Sequence, residues 1–434
     1  MLETSQASGP TASPISQADA PVSKSVSAPL TPSQIAIVKS TAPLLKEHGE
    51  EIATLFYGNM LKAHPELHNI FNQTGQLTGA QPRALAGAVF AYASYIDDLG
   101  RLQALVERIA HKHVSLTVQA DQYAIVGKHL IEAVATVLGD AVTPDVADAW
   151  TAAYAALADI FVDREKELYA AHEQWTGWRP FNIQKKVIES AEITSFYLVP
   201  EDGKALPLFK PGQYISLHLF IPQLGYMQPR QYSLSDAPRS DYYRISVKKE
   251  SGKVTSLPGL ISNLLHENYK EGDVVELTHP TGDFLDDSDP SETAPLVLIS
   301  AGVGITPMIS ILNNAVSAGS QRPVSWIHGT HSSELQAFGS HVQTICAKHS
   351  NVQATIFRST VAAAEPKGVD YHFDGRVDLN KVDQARCLFL DNTAAEYYIC
   401  GPTAFMQSMQ RFLIDAAVDQ GRIHMEVFGV GDGK

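Results

Sequence analysis

The hydrophobic rhythm of the chain changes twice and divides it into three regions. From Thr31 to about Ala171, apolar residues recur every three or four positions, the period of helices with one buried face. Thr31 and Pro32 read as an N-cap followed by proline at the first helical position. Ile35 and Val38 start one apolar face. Ile52, Phe56 and Met60 mark the next helix, after a break expected at His48-Gly49. Leu85, Val89, Tyr92 and Ile96 mark another, opened by Pro82. Helices over 102–116, 124–138 and 146–170 complete an all-α region of about 140 residues.

After Trp175 the period becomes alternating. Residues 213–220, 243–247 and 273–278 read as short strands between Gly, Pro and Asp turns, and predict an antiparallel barrel or sandwich. Beyond it, residues 296–300 (LVLIS) form an apolar run typical of a buried parallel strand. Further strands over 324–328 and 397–400, with a helix over 405–416, make the last region α/β.

Composition narrows the function classes. A chain of 434 residues accommodates two or three domains. Its net charge of −14 disfavours nonspecific binding to nucleic acid or to anionic membranes. No apolar run reaches the length of a membrane span. Cys346, Cys387 and Cys400 show no metal-ligand spacing and no disulfide framework, which fits a reducing compartment. Residues 1–29 are rich in Ser, Ala, Pro and Thr and read as a disordered extension. They lack the apolar core of a secretory signal and carry one base, Lys24, beside Glu3 and Asp19. A cytoplasmic monomer is expected, with a mitochondrial address left open.

His113 shares a helix face with Leu102, Leu105, Ile109 and Leu116, so its imidazole is either a hydrogen-bonded core group or an axial metal ligand. His111 points to a different face. On the residues alone, Tyr57, Phe71 and Tyr123 read as core aromatics, and Glu165, in the charged run DREKE, as a solvated helix residue. Downstream, Ala301-Gly302-Val303-Gly304-Ile305-Thr306-Pro307 stands between a strand and a helix, which makes a pyrophosphate site at a helix N-terminus. The turn lacks the third glycine of G-x-G-x-x-G. Cys400 reads as a buried strand terminus.

The segments IATLFYGNML (52–61), PELHNIFNQTGQ (65–76), IAHKHVSL (109–116), DQYAIVGKHL (121–130) and IFVDREKELY (160–169) resemble, in order and spacing, the globin domain of flavohaemoglobins. The sequence around Arg230-Gln231-Tyr232-Ser233 resembles the RxYS signature of ferredoxin-reductase-like flavin domains, and the resemblance to flavohaemoglobins runs from about Thr31 to the C-terminus. It implies an all-α globin domain (30–174), an antiparallel β-barrel FAD-binding domain (175–288) and an α/β Rossmann-like NAD(P)-binding domain (289–434).

The implied cofactors are haem b, FAD and NAD(P)H. The resemblance makes His113 the proximal haem ligand, with Tyr123 and Glu165 as its partners. A carboxylate accepting the second N–H of such an imidazole makes it a stronger donor to iron. Tyr57 matches the distal tyrosine, Phe71 the phenylalanine packed on the porphyrin, and Gln81 and Leu85 the distal polar and apolar positions. Pro82 is expected to place Gln81 at the mouth of its helix. Arg230 is implied to contact the FAD pyrophosphate, and Tyr232 and Ser233 the isoalloxazine, with Gln231 between them. Gly259, Ser262 and Asn263 match the second phosphate-contacting segment. Gly302, Gly304, Thr306 and Pro307, with Gly401 and Pro402, match the nicotinamide-nucleotide site. Glu426 and Phe428 match the terminal strand, whose aromatic residue covers the flavin until nicotinamide displaces it.

The implied activity is nitric oxide dioxygenase: nitric oxide and O2 become nitrate at the expense of NAD(P)H, a detoxification. A globin that binds or senses O2 without an electron supply, or a flavin reductase serving another acceptor, are the alternatives. No Asp, Glu or Arg directly follows the 324–328 strand, so the choice between NADH and NADPH is left open.

Overall fold

Thr31 caps the first helix with a reciprocal pair of bonds. Its hydroxyl accepts from Gln34 N, and its own N–H donates to Gln34 Oε1. The computed structural model describes residues 27–252, 258–289 and 292–429, so most of the N-terminal extension lies outside the described residues. The first helix, α1, runs unbroken over Pro32–Ala63. The break expected at His48-Gly49 is absent. Gly49 is instead a packing notch, where an added Cβ would stand 3.0 Å from Ala86 Cβ on a facing helix. Glycine was a breaker signal in the sequence, but close helix approach retained it here.

The helical region continues with α2 (Gln73–Leu77), α3 (Ala80–Tyr95), α4 (Gln103–Ser115), α5 (Gln122–Leu138) and α6 (Pro144–Ala170). Gly79 (φ +70°) and Ala80 begin α3, so Gln81 and Pro82 both lie within its first turn. A core of Val38, Leu45, Phe56, Met60, Tyr92 and Trp150 joins α1, α3 and α6. Two buried polar contacts fix their register. Tyr92 OH donates to Ala153 O at 2.8 Å, and Trp150 Nε1 donates to Thr41 Oγ1 at 2.9 Å.

The middle region has strands β1 (Arg179–Ile188), β2 (Ile193–Pro200), β3 (Tyr214–Ile221), β4 (Tyr226–Ser233) and β5 (Tyr243–Lys248), then α7 (Leu260–Glu267) and β6 (Val274–Leu277). They form one antiparallel sheet in the order β4-β3-β6-β1-β2-β5. A bridge between Leu234 and Ile245 brings the end of β4 to β5 and curls the sheet toward a barrel.

The last region alternates: β7 (Leu296–Ala301), α8 (Ile305–Ser317), β8 (Val324–Thr330), α9 (Gly339–Lys348), β9 (Val352–Arg358), β10 (Phe373–Asp374), β11 (Glu396–Cys400), α10 (Thr403–Asp415) and β12 (Ile423–Glu426). All strands are parallel, in the order β10-β9-β8-β7-β11-β12. The chain moves outward in one direction from β7 and returns to its other side at β11. That reversal leaves a crevice at the carboxyl ends of β7 and β11, where ligands of open α/β sheets bind. The helical, antiparallel and parallel regions match the fold class expected from the sequence.

The helical and antiparallel regions meet through polar groups. His111 Nδ1 contacts Thr281 Oγ1 at 2.6 Å and accepts from Gly282 N at 3.1 Å, while Nε2 faces Glu107 Oε1 at 3.1 Å. Nearby, the rings of His172 and His279 stack at 4.1 Å. Burial, and secondarily the neighbouring His172, push the His279 pKa down from 6.5 to about 4. The unfolded chain therefore takes up this proton before the folded one, and stability falls as pH drops through that window. His279→Gln should flatten part of this fall, read as a smaller loss of urea midpoint between pH 6.5 and 4 than in the parent. An unchanged pH slope would remove His279 from the acid sensitivity.

Candidate active site

Three helices converge on one carboxylate. Glu165 on α6 is 3% exposed. Its Oε1 accepts from Tyr123 OH at 2.5 Å and lies 2.7 Å from His113 Nδ1, while Tyr123 OH is 2.9 Å from the same nitrogen. The tautomer follows from this geometry. The carboxylate accepts only, so Nδ1 carries its proton toward Glu165 and Nε2 keeps a free lone pair. Among the described residues Nε2 makes no hydrogen bond. Burial, then the Glu165 charge, hold the Tyr123 phenol far above its ordinary pKa, so it stays a donor. Phe161 packs 5.7 Å from the His113 ring.

Position 127 keeps this arrangement aligned. Tyr154 OH donates to Tyr123 O at 2.7 Å, and its ring lies over Gly127 so closely that an added Cβ would stand 2.4 Å from Cε1. The apolar cluster around His113 shares Val106 and Leu157 with the main helical core, which holds Tyr57, Phe71 and Leu85. Tyr57 packs edge-on against Phe56 at 4.7 Å and Phe71 at 5.5 Å. Burial raises its phenol above the usual range and keeps it protonated, with the Gln81 amide offsetting part of the effect. Gln81 lies inside the first turn of α3, and its Oε1 is buried with no partner among the described residues; Gln76 Nε2 is orphaned likewise.

A free imidazole lone pair, a buried phenol and the unpartnered Gln81 amide oxygen beside an apolar core fit a haem. They fit ordinary core packing poorly, because orphaned buried polar atoms are costly.

Where the three regions meet, Lys112 Nζ on α4 donates to Gln231 Oε1 on β4 at 2.7 Å, and Gln231 Nε2 donates to Ser216 Oγ at 3.1 Å. Arg230 donates to Pro229 O at 2.6 Å and Thr74 Oγ1 at 3.1 Å. Burial lowers its guanidinium pKa and raises that of Tyr232. Burial also pushes Lys112 down to about 8, opposed by Glu426. Glu426, at the end of β12, is pushed up to about 8 by burial and by Asp283, opposed by Lys112. Ser233 is buried at the end of β4. Phe428 lies beyond β12 and is 40% exposed. The side chains of Ser262 and Asn263 turn to Glu250: Ser262 Oγ accepts from Glu250 N at 3.2 Å, and Asn263 Nδ2 donates to Glu250 O at 3.1 Å. Gly259 stands at the N-cap of α7. Part of the stretch before it, 253–257, lies outside the described residues.

The crevice of the parallel sheet is built from three glycines. Gly302 adopts φ +56°. Gly304 approaches β11 so closely that a Cβ would stand 2.3 Å from Cys400 O, and a Cβ at Gly401 would stand 2.7 Å from Phe405 Cδ1. Thr306 and Pro307 are in the first turn of α8, and Pro402 caps α10. Arg358, at the end of β9, is committed to Glu365 at 2.7 Å and to Gln336.

The Lys112–Gln231 contact went unremarked in the sequence. Its one signal was the position of Lys112 beside His113; nothing local marks Gln231 as its partner.

The two ends of this assembly match two family models: Globin over residues 54–161 and Oxidoreductase NAD-binding domain over residues 298–411. Such a pairing defines a globin joined to an oxidoreductase module. A flavohemoprotein of Bordetella pertussis is 48% identical over 93% of this chain and 99% of its own length. One of Bacillus subtilis is 46% identical over 91% and 96%. A crystal structure of flavohemoglobin from Malassezia yamatoensis with bound FAD and heme superposes with a TM-score of 0.79 at 29% identity, covering 92% of this chain and all of that one. The FAD/NAD-binding domain of a nitric oxide dioxygenase from Vibrio cholerae matches 58% of this chain and 98% of its own at 36% identity and a TM-score of 0.52. The chain belongs to the flavohemoprotein family, and with its NAD-binding domain it is an NAD(P)H oxidoreductase.

Gly127→Ala should force Tyr154 from its seat and lower stability by about 1–3 kcal/mol, as overpacking does. A urea midpoint equal to the parent's would show that α5 and α6 part without cost.

Proposed function

We propose that this chain is a nitric oxide dioxygenase that binds haem b in the helical region, FAD at the antiparallel sheet and NAD(P)H in the crevice of the parallel sheet. The observation that carries this reading is the buried Glu165 carboxylate on the outer nitrogen of His113. A ligand histidine with such a partner is a strong electron donor, which suits O2 activation better than reversible storage. When bound, the three groups supply hydride acceptance, one-electron transfer and a site for O2 to react with nitric oxide.

This chain's residues hold and bias those groups. His113 holds the iron through Nε2, Glu165 and Tyr123 fix its ring, and Phe71 and Leu85 shape the pocket. Tyr57 donates a hydrogen bond to the ligand, and its raised pKa keeps that proton in place. The Gln81 amide orients the Tyr57 hydroxyl by donating through Nε2 to its oxygen, which leaves the one phenol proton for the ligand. Arg230 matches pyrophosphate oxygens with its remaining donors, and the half-buried Tyr232 and the buried Ser233 flank the ring system. Lys112 bridges from the helix of His113 to the flavin side. The amides of Gly259 and its helix supply a second phosphate contact. Gly302, Gly304, Thr306 and Pro307 receive the nucleotide pyrophosphate at the start of α8, with Gly401 and Pro402 opposite. Glu426 and Phe428 close the nicotinamide side. Domain limits at 30–174, 175–288 and 289–434, a cytoplasmic setting and a monomeric state complete the reading. Among the described residues no helix is long and apolar enough to cross a membrane.

Purified protein loaded with haem and FAD should show a Soret band with flavin absorption and convert nitric oxide to nitrate only with both O2 and NAD(P)H. Nitric oxide loss without either reactant would overturn the assignment, and flavin without haem would leave a flavin reductase. Tyr57→Phe should speed O2 dissociation by about tenfold or more, the worth of a hydrogen bond to a charged acceptor. An unchanged off-rate would take Tyr57 out of the distal role. Glu165→Gln should lower the iron–histidine stretching frequency in the resonance Raman spectrum of the ferrous protein; an unmoved band would detach Glu165 from ligand tuning.

A further inference from the structure

Gln228 is wholly buried, although it lies on the outer strand β4, at the edge of its sheet. Its partners belong to the helical region. Oε1 accepts from Gln73 N at 3.0 Å. Nε2 donates to His68 O at 2.9 Å and Phe71 O at 3.4 Å, and also to Met227 O at 3.0 Å. Gln73 N is the first N–H of α2, a donor that a helix leaves unpaired. The His68 carbonyl lies in the last turn of a short 3-10 helix (Pro65–Asn69) and the Phe71 carbonyl in the connection from it to α2, so one side-chain amide satisfies three backbone groups at and between helix ends.

Neighbouring residues fasten the same connection. Met227 N donates to Asn69 Oδ1 at 2.9 Å, the His68 and Tyr226 rings stack at 4.4 Å, and Arg230 reaches Thr74 Oγ1 at 3.1 Å. The fastened stretch, 68–75, is also a wall of the haem pocket. Phe71 packs on Tyr57, and Gly75 faces Gln81, whose Oε1 is 3.5 Å from an ideal Cβ there.

We infer that β4 is a mechanical link between the flavin site and the distal haem pocket, with Gln228 as the positioning residue that fixes Phe71. This rests on the cofactor assignment above. Arg230 and Gln228 lie two positions apart on one strand, and both grip the same connection. A pyrophosphate that engages Arg230 holds β4 in place, and Gln228 transmits that restraint to the backbone of Phe71. The glutamine amide is specific for this task, because it presents an acceptor to an N–H and donors to two carbonyls. A carboxylate of the same shape sets oxygen against oxygen at His68 and Phe71.

The test uses the full chain loaded with haem, with and without FAD, and follows carbon monoxide rebinding to the ferrous protein after flash photolysis. In the parent, removing FAD should loosen the pocket wall and speed rebinding by about fivefold, at the low end of ordinary coupling between sites. In Gln228→Glu, both preparations should rebind at the same, faster rate. Thr74→Val removes only the direct contact of Arg230 to α2 and should keep the FAD dependence, because the restraint passes through β4 and Gln228. Equal rates with and without FAD in the parent would overturn the link, as would a full FAD effect in Gln228→Glu or its loss in Thr74→Val. Failure to take up haem or FAD, seen in the absorption spectrum, would instead overturn the cofactor assignment beneath it.

Discussion

The structure depends first on a buried carboxylate that accepts twice. Glu165 is taken out of water on α6, and a carboxylate there is tolerable only if its oxygens are hydrogen-bonded. Tyr123 from α5 and His113 from α4 meet that need. One electrostatic requirement therefore sets the mutual position of three helices, the tautomer of His113 and the direction of its free nitrogen. The close seat of Tyr154 on Gly127 keeps α5 near enough to α6 for the bond to form.

The same helix that points His113 inward sends other groups outward. Lys112 bonds Gln231, His111 contacts Thr281, and Ser115 O accepts from Thr278 Oγ1 at 3.2 Å. A rotation of α4 would disturb both sets together. Joining a redox module through polar contacts rather than an apolar seam has a physical consequence: each bond has a fixed length and direction, so the interface sets register as well as proximity. The link through Gln228 follows that pattern on the other side of the pocket.

Much of this was legible in the chain. The helical period located α3, α4, α5 and α6, and alternation located β3, β5 and β6, because each element buries one face and must repeat at its own spacing. The AGVGITP turn announced the crevice of the parallel sheet. Gly49 misled, since a glycine needed for close packing and one needed for a break look the same in one dimension. Glu165 read as solvated because its run of charges carries no sign of the two donors, 42 and 52 residues away, that bury it. Gln228 carried no signal, as a single polar residue in an edge strand is ordinarily exposed.

Periodicity, turn chemistry and the order of motifs, which act between near neighbours, were enough by themselves to determine the three regions, the helix that carries His113 and the family resemblance. Only the tertiary structure decided which polar groups lose their water and with whom they bond. Those pairings join residues up to 171 positions apart, where no local pattern constrains them. The choice of Glu165 as partner to His113, of Lys112 as bridge to Gln231 and of Gln228 as clasp on Phe71 is made by burial, which exists only once the chain is folded.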